Sequence, residues 1–447
     1  MRAHLTRRNF LKSTLVAGPL SAGLMFPQQQ LFADSCTSTE RPRLAVILTW
    51  MTHLSHAHVL MENFLNPVLF NGQLVDPGVE IVSMYVDQFS EGRDMSRSVA
   101  KEHKIPIYDS IRGALTQGGK TLDVDAILCI GEHGDYPDTK YGIDKYPRKE
   151  WFDECVAVMK EAGKVVPYFN DKHFSYRWDW SKEMYDTAQE IGLPFLAGSS
   201  VPLAQRKPDI GIKPGTEIVE AMSIHGGPIE RYDFHGAEVL QSMIEFRKGG
   251  ETGISKLEVL KDEELLNAGK AGRFSWDLYE AAMKAELGEV PETFGTIPGE
   301  GKHPTHGIFL EYKDGLKATI LRIGASGIRW NFAWREKKDP TPKATYFYPG
   351  PWNNRNLFKA LAHAIQTHFR QKQAPYPVER TLLTTGITEA AVRSYYEDVA
   401  LDTTHLEIAY QPRDFTAMRE RGASWDLLTE ELKSEKGLYD PRVLFQE

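Results

Sequence analysis

From Arg43 onward, short apolar runs alternate with stretches whose apolar residues recur at helical spacing. "RLAVILTW" reads as a strand, and the helix after it opens near Ser55, a good N-cap, and ends before Pro67. "VEIVSMYVD" is a second strand ending at Asp87, and "DMSRSVAKEHK" is an amphipathic helix leading into "IPIYDSIRGAL". "VDAILCIGEHGDYP" is a strand that breaks into a loop, followed by the helix "KEWFDECVAVMKEAGK". "VVPYFNDKH" is a strand with its exit loop, "KEMYDTAQEIG" a helix and "LPFLAG" a strand. This alternation predicts a parallel sheet wrapped by helices. Asp87, the Glu132–Tyr136 loop and the Asp171–His173 loop all follow strand carboxyl ends, the edge where such sheets bind ligands.

The Ser, Gly and Pro content of "GSSVPLAQRKP" (Gly198 to Pro208) marks a crossing between domains. Beyond it, "TEIVEAMSIHGG" is strand-like and "DFHGAEVLQSMIEFRKGG" is a helix closed by Gly249. "HGIFLEYKDGLKATILRI" is a hairpin turning at Asp314-Gly315. The expected organisation is an N-terminal segment over 1–41, an α/β Rossmann-like domain over 42–198, and an α+β domain over 199–447 that includes the tail. The second domain should carry an open, mainly antiparallel sheet.

At 447 residues, 41% of them hydrophobic and 26% charged, the chain has the composition of a soluble globular protein with room for two cores. A net charge of −8 argues against nucleic acid as a partner. No apolar run after the first thirty residues approaches the ~20 needed to span a bilayer. "TRRNFLK" (Thr6 to Lys12) is a twin-arginine motif, with a modest apolar stretch from Ser13 to Phe26 behind it. This predicts export to the periplasm and cleavage near Ala33. Cys36 is a poor match to a lipidated cysteine, and Cys129 and Cys155 read as buried thiols on separate elements.

Several residues at the predicted edge can carry chemistry. Glu132, His133 and Asp135 fall within four residues, and with His56 or His58 and His173 they offer a carboxylate and imidazole set suited to Zn, Mn or Fe. Lys172, at a strand exit, can share a proton with a hydroxyl, with Asp171 beside it as its orienting group. His235 begins a helix with an apolar stripe of Ala237, Leu240, Met243 and Ile244. Its other face carries Glu238, Ser242 and Glu245, the pattern of a solvated surface. His235 there can act as a general base, with Asp233 and Arg231 to steer it. Tyr85, Trp178 and Trp180 are core residues or sugar-stacking surfaces.

The order of elements resembles the glucose–fructose oxidoreductase, inositol dehydrogenase and MocA (Gfo/Idh/MocA) family from Arg43 to about Glu397. "VMKEAGKVVPYFNDKHFS" is similar to the family's segment ending Glu-Lys-Pro, with Lys172 at the catalytic lysine. "GGPIERYDFHGAEVL" is similar to the segment holding the catalytic histidine, which falls on His235, with Glu238 on the next acidic position. "VERTLLTTGITEAAVRSYYE" sits where the family's last helix would. The glycine fingerprint is absent: after the first strand come "TWMTHLSH", and Gly72 is the first glycine after Gly23.

The resemblance implies NAD or NADP, with Thr49, Trp50, Asp87, Glu132 and His133 as the residues to touch it. Arg231, Glu238, His173 and Asp135 would touch a small carbohydrate or polyol, and an oligomer is expected from the resemblance. The leading expectation is an exported oxidoreductase with tightly held NAD(P). The alternative keeps the fold without nucleotide, as a metal-assisted sugar lyase, hydrolase or epimerase with His56, His58, His133, Asp135 and His173 around the vacated pocket. A non-catalytic sugar-binding protein is the third.

Overall fold

The computed structural model describes residues 40–428 and 437–445. The twin-arginine motif, the cleavage point near Ala33 and Cys36 lie outside the described residues. The first sheet is built from β1 (Arg43–Leu48), β2 (Glu80–Val86), β3 (Ile107–Tyr108), β4 (Ala126–Ile130), β5 (Tyr168–Asp171) and β6 (Phe195–Gly198). All its pairings are parallel, in the order β3-β2-β1-β4-β5-β6. That is the doubly wound dinucleotide-fold order. Helices α1 (His56–Leu65), α2 (Ser96–His103), α3 (Ile111–Thr116), α4 (Arg148–Ala162) and α5 (Trp178–Glu190) connect the strands. The central strands are covered on both faces, which is why they read as continuous apolar runs. Ser55 caps α1 by accepting the His58 amide, as its position promised. Cys129 on β4 and Cys155 on α4 are buried and free.

The second sheet has eight strands: β7 (Gln205–Lys207), β8 (Ile218–His225), β9 (Ile254–Lys261), β10 (His306–Tyr312), β11 (Lys317–Arg322), β12 (Trp330–Glu336), β13 (Lys343–Tyr348) and β14 (Leu401–Asp402). Their order is β14-β9-β10-β11-β8-β12-β13-β7, and within this sheet only β8 and β11 pair in parallel among the described strands. The β10–β11 hairpin turns at Asp314-Gly315, where Gly315 takes φ 88°. Helices α6 (Asp233–Ile244) and α10 (Val378–Glu397) cover one face of this sheet, and α7 (Asp262–Lys270) and α8 (Trp276–Leu287) the other.

Two features depart from the expected pattern. Helix α6 ends at Ile244, not at Gly249, and its polar face is not solvated: every residue of α6 is buried. Glu238 and Glu245 face Thr384 and Arg380 of α10, so the polar stripe meets a polar partner helix instead of water. Helix α9 (Asn354–Gln371) folds back onto α1, where Gln366 donates to the Asn63 carbonyl at 2.7 Å and Arg355 pairs with Glu62 at 2.9 Å. Gly437 and Tyr439 of the tail meet the same surface: the Gly437 carbonyl accepts from Arg355, and the Tyr439 amide donates to Glu62.

Candidate active site

Strands β4 and β5 end side by side and release Glu132 and Lys172 at the same edge. Lys172 takes φ 64° and His133 φ 69°, left-handed conformations that an ordinary side chain adopts only when its surroundings impose them. The Lys172 ammonium donates to Glu132 Oε1 at 2.7 Å, and Arg148 at the start of α4 donates to Oε2 at 2.6 Å. All three are buried. Burial pushes the Glu132 carboxyl up, but Lys172 and Arg148 overcome it and hold it well below the usual carboxylate range. Gly131 makes room for this: a Cβ there would stand 2.8 Å from Arg148 Cγ.

His235, on the first turn of α6, shares a 2.6 Å hydrogen bond between its Nδ1 and Ser199 Oγ. Burial first, then the Lys172 and His56 charges, hold His235 well below its ordinary value, so it is a neutral imidazole at neutral pH. The backbone of Lys172 bridges to Gly198, and the next residue is the serine that holds His235. The two halves of the chain thus bring Lys172 and His235 into one buried cluster, near enough for the ammonium charge to act on the imidazole. In the same cluster, His56 Nδ1 lies 2.6 Å from Asp171 Oδ2, and its ring meets His133 edge-on at 5.2 Å. Burial and the neighbouring His56 push His133 down to about 4. His173 extends the network, with Nε2 3.0 Å from Glu230 and its ring beside the Arg148 guanidinium.

Lys172, His235, His133, His56, Glu132 and His173 therefore come together. Other expected roles are corrected. Asp171 orients His56; the group that holds Lys172 is Glu132. Asp233 does not steer His235: its Oδ1 is bonded to His225 and His306. Arg231 pairs with Asp144 at the surface. Glu238 is fully buried against Thr384 and reaches no crevice. His58 is a core residue that accepts the Leu54 amide and meets the Gly437 carbonyl, and Asp135 is exposed. The metal set His56, His58, His133, Asp135 and His173 is therefore not assembled. Among the described residues the one group with metal-ligand spacing is His225, Asp233 and His306. The carboxylate there is bonded to both imidazoles at 2.9 and 2.7 Å and to the Glu230 amide, a hydrogen-bonded pin in which His225 Nδ1 alone is left without a partner among the described residues.

Arg148, Ser199 and Glu230 were not singled out in the sequence. Only the "SS" at the domain crossing offered a signal for Ser199, and nothing local distinguishes Arg148 from a surface arginine. Trp178 packs between both cores, as a core residue would.

The turn after β1 does not fit a dinucleotide pyrophosphate. That group needs free backbone N–H groups at a glycine turn and an open helix start. Here the amides of Thr49, Thr52, Leu54, Ser55 and His58 are already bonded within the protein. The Thr49 hydroxyl donates to the Glu132 carbonyl, Trp50 brings an indole to the turn, and His56 and Ala57 at the helix start are buried. Asp87, expected to hold a ribose, accepts the Tyr85 and Tyr136 hydroxyls, one on each oxygen, at 2.6 and 2.7 Å.

The chain is similar in structure to GenD2 from gentamicin A biosynthesis, solved in complex with NAD, at a TM-score of 0.50 and 11% identity, over 82% of this chain and 97% of that one. This is the Gfo/Idh/MocA two-domain fold. Scyllo-inositol dehydrogenase from Lactobacillus casei matches at 0.49 and 11% identity, over 81% of this chain and 98% of that one. A myo-inositol dehydrogenase from Corynebacterium glutamicum matches at 0.49 and 10%, over 82% and 99%. No protein-family model matches the sequence, and no curated protein does.

Proposed function

We propose that this Gfo/Idh/MocA-fold protein is an enzyme that moves a hydroxyl proton of a small carbohydrate or polyol at the buried Lys172–His235 cluster. The observation that carries the reading is the joining of Lys172, Glu132 and the Ser199-held His235 at one buried edge. In the tautomer whose Nδ1–H donates to Ser199, His235 keeps a lone pair on Nε2 to accept the proton. The Lys172 ammonium, positioned by Glu132, stabilises the alkoxide left behind. Burial of both groups strengthens that attraction. The His56–Asp171 pair supplies a second acid–base group in the same buried cluster, with Asp171 orienting the imidazole.

Two courses are supported by different observations. The fold shared with GenD2, a protein solved with NAD, favours an oxidoreductase in which the alkoxide carbon gives its hydride to NAD(P). The glycine-free turn with its bonded amides favours a course without a nucleotide, in which His235 would instead take a carbon-bound proton beside a carbonyl, followed by loss of the β-oxygen substituent or by reprotonation on the other face. The twin-arginine motif supports export, which would require any nucleotide to travel bound. Denaturing the purified mature protein and measuring released NAD(P) by mass spectrometry decides between the courses. Near-equimolar nucleotide supports the first, and its absence from active protein supports the second. Unchanged turnover in both Lys172→Met and His235→Gln overturns the proposal.

A further inference from the structure

A separate cavity of about 360 Å³ opens between the loop after β4, the exit of β5 and helix α10. None of Lys172, His235 or His56 lines it. Its inner wall is the His173–Glu230 pair, and from there a continuous buried chain runs His173 to Arg148, Arg148 to Glu132 and Glu132 to Lys172. Three wall groups lack partners among the described residues. The Ser175 hydroxyl is buried and bonded to nothing. The half-buried Lys145 ammonium makes no hydrogen bond or ion pair. The half-buried Glu389 carboxylate makes none either, and burial pushes its carboxyl up. Unbonded polar groups on a cavity wall are costly without a ligand or water to meet them. The phenol rings of Tyr141 and Tyr176 add flat apolar surface.

We infer that this cavity binds one uncharged polyhydroxylated ring of monosaccharide size. Glu389 would accept ring hydroxyls, Lys145 would donate to a ring oxygen, and the tyrosines would cover the C–H face. One free ammonium and one free carboxylate balance each other, which fits a neutral ring better than an acidic or amino sugar. The volume is within the range of small-molecule sites and suits one ring. The inference deepens the carbohydrate reading above by naming where a sugar unit is held.

The test uses the full mature chain, with D-glucose and myo-inositol as probes followed by saturation-transfer NMR. At least one probe is expected to bind, Glu389→Gln to weaken it about tenfold, the loss of one charge-assisted hydrogen bond, and His235→Gln to bind as wild type does. Failure of both probes to bind overturns the inference, and so does unchanged binding by Glu389→Gln. Binding lost in His235→Gln but kept in Glu389→Gln would put the ring at the Lys172–His235 cluster, overturning this inference while leaving the proposed function standing. Conversely, Glu389-dependent binding in a protein whose turnover ignores Lys172 and His235 would uphold the cavity and overturn that function.

Discussion

Lys172 Nζ lies 2.7 Å from one oxygen of Glu132, while the other oxygen takes Arg148 at 2.6 Å. One buried carboxylate holds two cations from two different elements. Glu132→Gln keeps the shape but leaves both cations uncompensated. It is expected to cost about 3–5 kcal/mol of stability, read by denaturant unfolding. Lys172→Met leaves Glu132 paired with Arg148, so it should unfold less readily than Glu132→Gln while losing roughly 10²–10⁴ in turnover.

Ser199 touches His235 and fixes its ring through Nδ1. Ser199→Ala is expected to lower kcat by about tenfold, the loss of one buried hydrogen bond, and to shift the acidic limb of the pH–rate profile. Ser199→Thr, which keeps the hydroxyl, should restore both. A purely structural role would change the melting temperature and leave the pH profile where it was.

Stability should fall as the pH drops below about 6.5. Burial pushes His133, His363 and His368 down to about 4, with His56 adding to the effect at His133 and Arg370 at His363. Between pH 6.5 and 4 the unfolded chain binds protons that the folded one refuses, so each contributes up to about 1.4 kcal/mol per pH unit of loss on acidification. Glu245 works with the opposite sign. Burial raises it to about 7 despite Arg380, so its contribution is lost as pH rises toward 7. Melting temperatures across pH 4–8 should show the acid loss, and Glu245→Gln should flatten the curve on the neutral side.

Asp233 pins α6 to the second sheet by bonding His225 of β8 and His306 of β10. Asp233→Ala strands two buried imidazoles and should cost about 3–5 kcal/mol. Because the Asp233 carboxylate is already bonded to both imidazoles and to the Glu230 amide, a chelator is expected to leave the melting temperature of the native protein unchanged. A drop with chelator, reversed by Zn²⁺, would show that the pin is a metal site.

The run of apolar stretches from Arg43 to Gly198 foretold a parallel sheet because central strands, covered on both faces, need continuous hydrophobic residues. Ser55 announced the start of α1, and Asp314-Gly315 announced the hairpin, since caps and turns are local chemistry. Lys172 and His235 were legible as chemical groups at a strand exit and a helix start. Their partners were not. Asp171 adjoins Lys172 in the chain, yet successive residues at a strand end point to opposite faces, so it orients His56 while Glu132, forty residues earlier, holds the lysine. Asp233 is two residues from His235, and the helical turn sends it toward the sheet. The polar face of α6 looked solvated because its cover, Arg380 and Thr384, lies about 140 residues further on. Sequence by itself settled most strands and helices between Arg43 and Gly198 and which residues carry protons, because periodicity and side-chain chemistry are local. Tertiary structure alone decided which charges face each other, because pairing in a buried site depends on contacts between elements distant along the chain.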